Sequence, residues 1–234
     1  MIYRSCRQGG VRYFRTVSPL GKPFEWNFQD GFYIPAASVW NQLTSEAEFA
    51  VVDTSDFFDG EVGPLYVEIG IGNGEFAVHR AAMTPKSLWF GFEVYHKAFY
   101  KAASRIKRAG LQNVRIVQFD AELFVRMFPE DSISEFFVNF PDPWPKTKHK
   151  KRRLLKTWFI ELMRDRLVPG GLITVVTDHE DYAEEIIVNF AQTNGLKSTL
   201  GAPCATDIGD YYKTKYYRKF AANSRIFFFN MQKV

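Results

Sequence analysis

Cysteine is scarce: only Cys6 and Cys204 occur in 234 residues, isolated and without metal-ligand spacing. They suggest a reduced, cytoplasmic protein and give no sign of a zinc site. No stretch approaches the ~20 consecutive apolar residues that a membrane span needs. The N-terminus has no apolar core of the kind a secretory signal carries, so none is expected. Nor does the chain offer a Ser or Cys nucleophile constellation, a metal cluster, an internal repeat or a low-complexity run. Two local absences matter more. Residues 1–22 carry Arg4, Arg7, Arg12, Arg15 and Lys22 without one acid, and residues 23–64 contain no Lys or Arg. The first stretch reads as an arm or irregular extension, open equally to an RNA contact and to a surface tail. The second is acidic, punctuated by Pro and Gly, and rich enough in aromatics (Trp26, Phe28, Trp40, Phe57, Phe58) to pack on a main domain.

Charge is present but uneven. Residues 1–139 hold 14 Lys/Arg and 16 Asp/Glu, whereas residues 140–234 hold 16 and 10, so a formal net charge of +4 hides a basic C-terminal half. That is the footprint of a polyanion partner.

The chain is organised around residues 65–74. Leu65, Tyr66, Val67 and Ile69 read as a buried strand, Gly70, Gly72 and Gly74 follow at alternate positions, and Phe76, Ala77, Val78 and Ala81 continue at helical spacing. Strand, glycine turn and helix in that order let the backbone bend sharply and approach a ligand. The spacing is G-x-G-x-G, not the G-x-G-x-x-G of dinucleotide sites. Glu68, just before the turn, would repel a pyrophosphate but suits an aminoacyl ammonium, which favours S-adenosylmethionine (SAM) over NAD.

Strand and helix then alternate. Leu88–Phe92 reads as a strand ending at Glu93. Residues 95–109 read as a helix with Phe99, Ala102, Ala103 and Ile106 inward, capped by Gly110. Further strands are predicted at Val114–Phe119, Glu135–Asn139, Leu172–Thr177 and Ile226–Met231. Helices are predicted over 150–167, burying Leu154, Leu155, Trp158, Phe159, Leu162 and Met163, and around Tyr182, Ile186 and Phe190, with Asp178 as N-cap. Such alternation predicts an α/β fold with a mostly parallel sheet and helices on both faces. Ligands sit beyond the carboxyl ends of such strands, which places Glu68, Glu93, Asp120, Asn139 and Asp178 along one rim. Glu93 suits ribose hydroxyls, and Asp120 with Ala121 an adenine amino group.

Asn139-Phe140-Pro141-Asp142-Pro143-Trp144-Pro145-Lys146 follows the fourth of these strands. Its prolines fix a rigid loop with few backbone donors. A carboxylate next to an indole can hydrogen-bond and stack on a nucleobase. Residues 146–156 then carry seven Lys/Arg and no acid, and a phosphate backbone is their natural partner. A further run, 211–219, interleaves tyrosines with cations in a pattern suited to looped RNA.

From about residue 65 onward the sequence resembles the bacterial tRNA (guanine-N7)-methyltransferase family, TrmB. The residues that carry this are Glu68-Ile69-Gly70-x-Gly72-x-Gly74, Gly91-Phe92-Glu93-Val94, Asp120-Ala121, Pro141-Asp142-Pro143-Trp144-x-Lys146, Lys151-Arg152-Arg153, Pro169-Gly170-Gly171 and Thr177-Asp178. The resemblance implies a Rossmann-like class I methyltransferase with a seven-stranded sheet, spanning residues 65–234 behind an N-terminal extension, 1–64. It implies methylation of guanine 46 in the tRNA variable loop, with S-adenosylhomocysteine as product. By it, Asp142 is catalytic. Glu68, Gly70, Gly72, Gly74, Glu93, Asp120, Ala121 and Asn139 bind the cofactor. Lys146, Asp178, Thr214, Lys215 and Tyr217 contact the substrate, Tyr217 standing where the family has Glu. Lys148, Lys150, Lys151, Arg152 and Arg153 meet RNA phosphates. Partners are tRNA alone, with no membrane and no metal, in a monomer or homodimer. Guanine N7 carries a free lone pair, so attack on a sulfonium methyl needs no general base, and orientation would supply the catalysis. Two alternatives stand beside this: an exocyclic-amine RNA methyltransferase, and a non-catalytic tRNA-binding protein on the same fold.

Overall fold

The structure, a computed structural model, describes residues 6–8, 11–17, 23–30, 32–34 and 54–234. Arg4, Lys22 and Trp40 lie outside the described residues. Near the N-terminus, β1 (Cys6–Gln8), β2 (Val11–Val17) and β3 (Pro23–Phe28) pair antiparallel in that order. An irregular arm was expected there. β2 pairs with β3 in continuous register from Arg12 opposite Phe28 to Val17 opposite Pro23. β4 (Tyr33–Ile34), α1 (Thr54–Phe57), β5 (Leu65–Ile69), α2 (Glu75–Met83), β6 (Leu88–Phe92), α3 (His96–Ala109), β7 (Val114–Val117) and α4 (Ala121–Phe124) follow. After β8 (Ile133–Asn139) come α5 (Thr157–Arg166), β9 (Leu167–Thr177), α6 (Glu180–Gln192), β10 (Leu196–Ser198), α7 (Lys215–Ala221) and β11 (Phe227–Lys233).

These elements divide into two units. The first holds the described residues of Met1–Leu65 together with Ile71–Pro129. In it β6, β7 and β4 run parallel, with Trp89 opposite Val114 and Tyr33 opposite Ile116. All five residues of β6 are buried, as a continuous apolar run in a parallel sheet requires. Phe57 and Phe58 are buried too, and the Phe57 ring lies 5.3 Å from Phe90. α3 buries Phe99, Ala102, Ala103 and Ile106, and Gly110 closes it at φ 65°.

The second unit holds Tyr66–Gly70 and Glu130–Val234. Here β5, β8 and β9 run parallel, then β11 and β10 add antiparallel. Three of these strands lie in the first unit and five in the second, eight where seven were expected. Of the strands that the sequence did not locate, β4 and β10 are 2 and 3 residues long, too short to show a period.

Several boundaries moved for identifiable reasons. The helix expected over 150–167 begins only at Thr157, and Thr147–Arg152 is a 3-10 turn. The Leu155 amide donates to the Tyr182 hydroxyl at 3.0 Å, and the Leu155 carbonyl accepts from Asn189 at 2.7 Å. Tertiary partners have taken the groups that a helix would have paired. Trp158, expected inward, is 42% exposed, and Ile160 is buried instead. His179, not Asp178, is the N-cap of α6. β9 starts at Leu167, ahead of the Pro169-Gly170-Gly171 turn, with a register irregularity opposite Ile133 and Glu135. Among the described residues no helix is long and apolar enough to cross a membrane, and no group of His, Cys, Asp and Glu is arranged to hold a metal.

Candidate active site

The glycine turn is built as its spacing demands. Gly70, Gly72 and Gly74 lie at φ 75°, 56° and 75°, a left-handed region that other residues enter only with strain. A Cβ at Gly74 would stand 3.1 Å from Ala102 of α3, whereas one at Gly70 would meet nothing within 4 Å. One glycine thus admits a helix and the other leaves the backbone open to a ligand.

In the first unit, Glu93 directly follows β6 and braces this turn. Its carboxylate accepts from the Gly72 amide at 2.9 Å and from the Tyr95 amide at 2.8 Å. Arg105 of α3 donates to the Asn73 carbonyl at 3.0 Å. Asp120 lies three residues past β7 and caps α4 by accepting from Glu122 at 2.8 Å, while Ala121 beside it is buried.

In the second unit, Glu68 is 2% exposed. Asn139, the last residue of β8, donates to its Oε1 at 3.0 Å and accepts from the Tyr211 hydroxyl at 3.0 Å. Tyr211 escaped the sequence reading as an individual residue because it lies 72 positions from Asn139. Burial first, then the nearby Glu68 carboxylate, pushes its phenol well above the ordinary range. It therefore stays protonated and remains a donor.

The loop after β8 holds Asp142 exposed. Phe140 and Trp144, each just before a proline, sit at φ 53° and 41°. Bulky aromatics in that region are outliers, costing on the order of 1–3 kcal/mol each, and such strain persists only where surroundings enforce it. Phe140 is enforced by the Tyr216, Tyr217 and Phe220 rings, 5.2, 6.3 and 6.1 Å away. Trp144 stacks on His149 at 5.7 Å and faces the Arg152 guanidinium at 5.0 Å. The indole expected to meet a base is thus already stacked within the chain.

The basic run splits in two. Lys146, Lys148, Lys151 and Arg152 are exposed. Lys150 pairs with Asp181 at 2.6 Å, and the Arg153 side chain is 0% exposed, paired with Asp181 and Glu185. Phosphate contact expected of Arg153 does not fit a guanidinium enclosed by protein carboxylates. The pairing is strong enough to hold the Asp181 carboxyl at about 2, through hydrogen bonds from Lys150 and then Arg153.

At the C-terminal side, Thr214 caps α7, accepting from the Tyr217 amide at 3.1 Å, and Lys215 is exposed. Tyr217 itself is 9% exposed and packs near Tyr211 and Phe228, at 5.6 and 6.2 Å. That burial makes it part of the packing and leaves little of its surface for the substrate contact expected. Its neighbour Tyr216 is exposed, and its phenol is raised by burial first, then by the carboxylates of Asp178 and Asp142. Asp142 and Asp178, singled out separately in the sequence, thus both lie within electrostatic reach of one tyrosine.

A family described as "Putative methyltransferase" matches residues 62–229. The tRNA (guanine-N(7)-)-methyltransferase of Syntrophotalea carbinolica is 34% identical over 78% of this chain and 77% of its own length. That of Geobacter metallireducens is 33% identical over 82% and 90%. The chain belongs to the tRNA (guanine-N7)-methyltransferase family. An rRNA methylase from Streptococcus thermophilus superposes with a TM-score of 0.52 over 73% of this chain and 87% of that one, at 17% identity. At that identity the likeness shows the shared Rossmann-like methyltransferase fold and nothing finer.

Proposed function

We propose that this chain transfers a methyl group from SAM to N7 of a guanine in tRNA, guanine 46 of the variable loop being the specific target. The observation that carries this is Asp142, exposed on a loop held rigid by prolines and by packed aromatics, in a chain related to enzymes of that name. The residues fit SAM: the turn is open at Gly70, a carboxylate is held beside it at Glu68, and Glu93 ends a strand as a ribose acceptor. When bound, SAM supplies an electrophilic methyl. Glu68, Gly70, Gly72, Gly74, Glu93, Asp120, Ala121 and Asn139 form its binding set. Asp142 accepts hydrogen bonds from the guanine N–H groups and orients the ring, offsetting the positive charge that develops on the purine. Lys146, Asp178, Thr214 and Lys215 flank the target nucleotide, and Lys148, Lys151 and Arg152 meet phosphates.

We further read residues 1–64 as an extension of a methyltransferase domain at 65–234. The protein acts in the cytoplasm as a monomer or homodimer, without membrane or metal. Incubation with labelled SAM and bulk tRNA, followed by mapping of the methylated atom, tests the proposal. Label at N7 of guanine 46 is the expected result. Label on an exocyclic amine would favour the other enzyme class, and tRNA binding without label would favour a binding protein.

A further inference from the structure

Arg153 occupies an unusual position for a member of a basic run. Nε donates to the Pro143 carbonyl at 2.8 Å, one Nη donates to Glu185 Oε2 at 2.6 Å, and the other donates to Asp181 Oδ2. Its guanidinium lies 4.7 Å from the centre of the Tyr182 ring. The carbonyl it holds belongs to the residue between Asp142 and Trp144. Asp181 and Glu185 stand at i and i+4 on α6, which begins two residues after Asp178. Each is shared with a lysine, Lys150 at 2.6 Å and Lys156 at 2.5 Å.

We propose that Arg153 is a positioning residue for the methyl transfer, acting through the Pro143 carbonyl on Asp142 and making no contact with RNA. This rests on the reaction proposed above. The prolines of the loop lack the amides that would tie it down internally, so its carbonyl needs a donor from outside. A guanidinium supplies one in a planar fork while its other edge stays fixed by two carboxylates. Buried ion pairs add little to stability compared with apolar packing, but they fix geometry. A carboxylate that must orient a base is sensitive to such fixing: a misplacement of about 1 Å can reduce a rate about 10²-fold.

Arg153→Lys keeps the charge and loses the fork, and Glu185→Gln weakens the anchor from the other side. With each variant shown folded by its melting curve, kcat should fall by about 10-fold to 10²-fold, while the tRNA KM and the salt dependence of tRNA binding stay unchanged. In an Asp142→Ala background the Arg153→Lys change should lower the residual rate no further, since residues acting as one unit are not additive. Amide exchange at Asp142, Trp144 and Lys146 should quicken in Arg153→Lys, a readout independent of activity. A flattened salt slope with kcat intact would make Arg153 a phosphate contact and overturn the proposal. A lowered melting temperature with kcat and loop exchange intact would reduce it to a stabilising pair, with the same consequence. A wild-type protein that methylates no tRNA would instead refute the reaction, and unchanged loop exchange would still refute the positioning role.

Discussion

Asn139 donates its side-chain amide to Glu68 at 3.0 Å, and the Tyr211 hydroxyl, donating to the other end of that amide, fixes which way it points. A glutamate buried near the glycine turn is thereby supplied with a donor whose orientation is set by a third residue.

Tyr211→Phe tests that orientation. Loss of one partly buried hydrogen bond should reduce stability by about 0.5–1.5 kcal/mol, read from urea unfolding. SAM affinity should fall as well, because the Asn139 amide becomes free to turn. An unchanged unfolding midpoint and unchanged SAM binding would show that the hydroxyl has no such role.

Glu93→Ala should weaken SAM binding by roughly 1.5–3 kcal/mol, the range for hydrogen bonds to a charged group. It also strips the Gly72 and Tyr95 amides of their acceptor. Titration calorimetry on the folded variant measures it, and full affinity would remove Glu93 from the cofactor site.

Asp142→Ala should lower the methyl-transfer rate far more than tRNA affinity, since the role proposed for it is orientation of the reacting base. Its side chain is exposed, so the melting temperature should hardly move. Single-turnover rates beside tRNA binding curves give both numbers. Wild-type rates would defeat the mechanism.

Lys148 and Lys151 carry the electrostatic prediction, because Lys150 and Arg153 are engaged with Asp181 and Glu185. Converting both to Glu should weaken tRNA binding and leave SAM binding alone. Each lost phosphate contact should flatten the log–log salt slope by about 0.7–0.9. If tRNA binding at near-physiological salt is unaffected, these lysines only solubilise.

Acid should undo the network at Asp181. Its carboxyl is held at about 2 in the folded state against an ordinary 3.8. The stabilisation is therefore fully present above the ordinary value and lost as pH falls through the folded one. Asp181→Asn should be less stable than the parent near neutrality, with the gap closing between about pH 4 and pH 2. Urea unfolding across that range checks the sign, and a gap that ignores pH would contradict it.

How much of this was legible differs from residue to residue. Gly70, Gly72 and Gly74 announced a turn because alternate glycines after an apolar run have few other uses, and the structure gives all three positive φ. The inward face of α3 followed from helical spacing. Arg153 was misread because a run of cations reveals charge and not burial. The signal was present downstream: Asp181 and Glu185 form an acidic i, i+4 pair on a helix otherwise recognised by its apolar face. Tyr211 entered only as a member of a cationic stretch and Tyr217 as an expected substrate contact, since nothing local distinguishes a tyrosine that packs from one that meets a base. The early end of the 150–167 helix depended on Tyr182 and Asn189, partners that no local window contains.

The left-handed backbones of Phe140 and Trp144 bear on how this protein can change. Glycine would relieve the steric penalty at either position, though it would give up the rings that keep the loop in place. Selection for thermal resistance alone has reason to accept that exchange wherever the relief exceeds the lost packing. Selection for turnover has reason to reject it. The two pressures should therefore diverge at these two positions, making the loop a place where a hardier protein is a poorer catalyst.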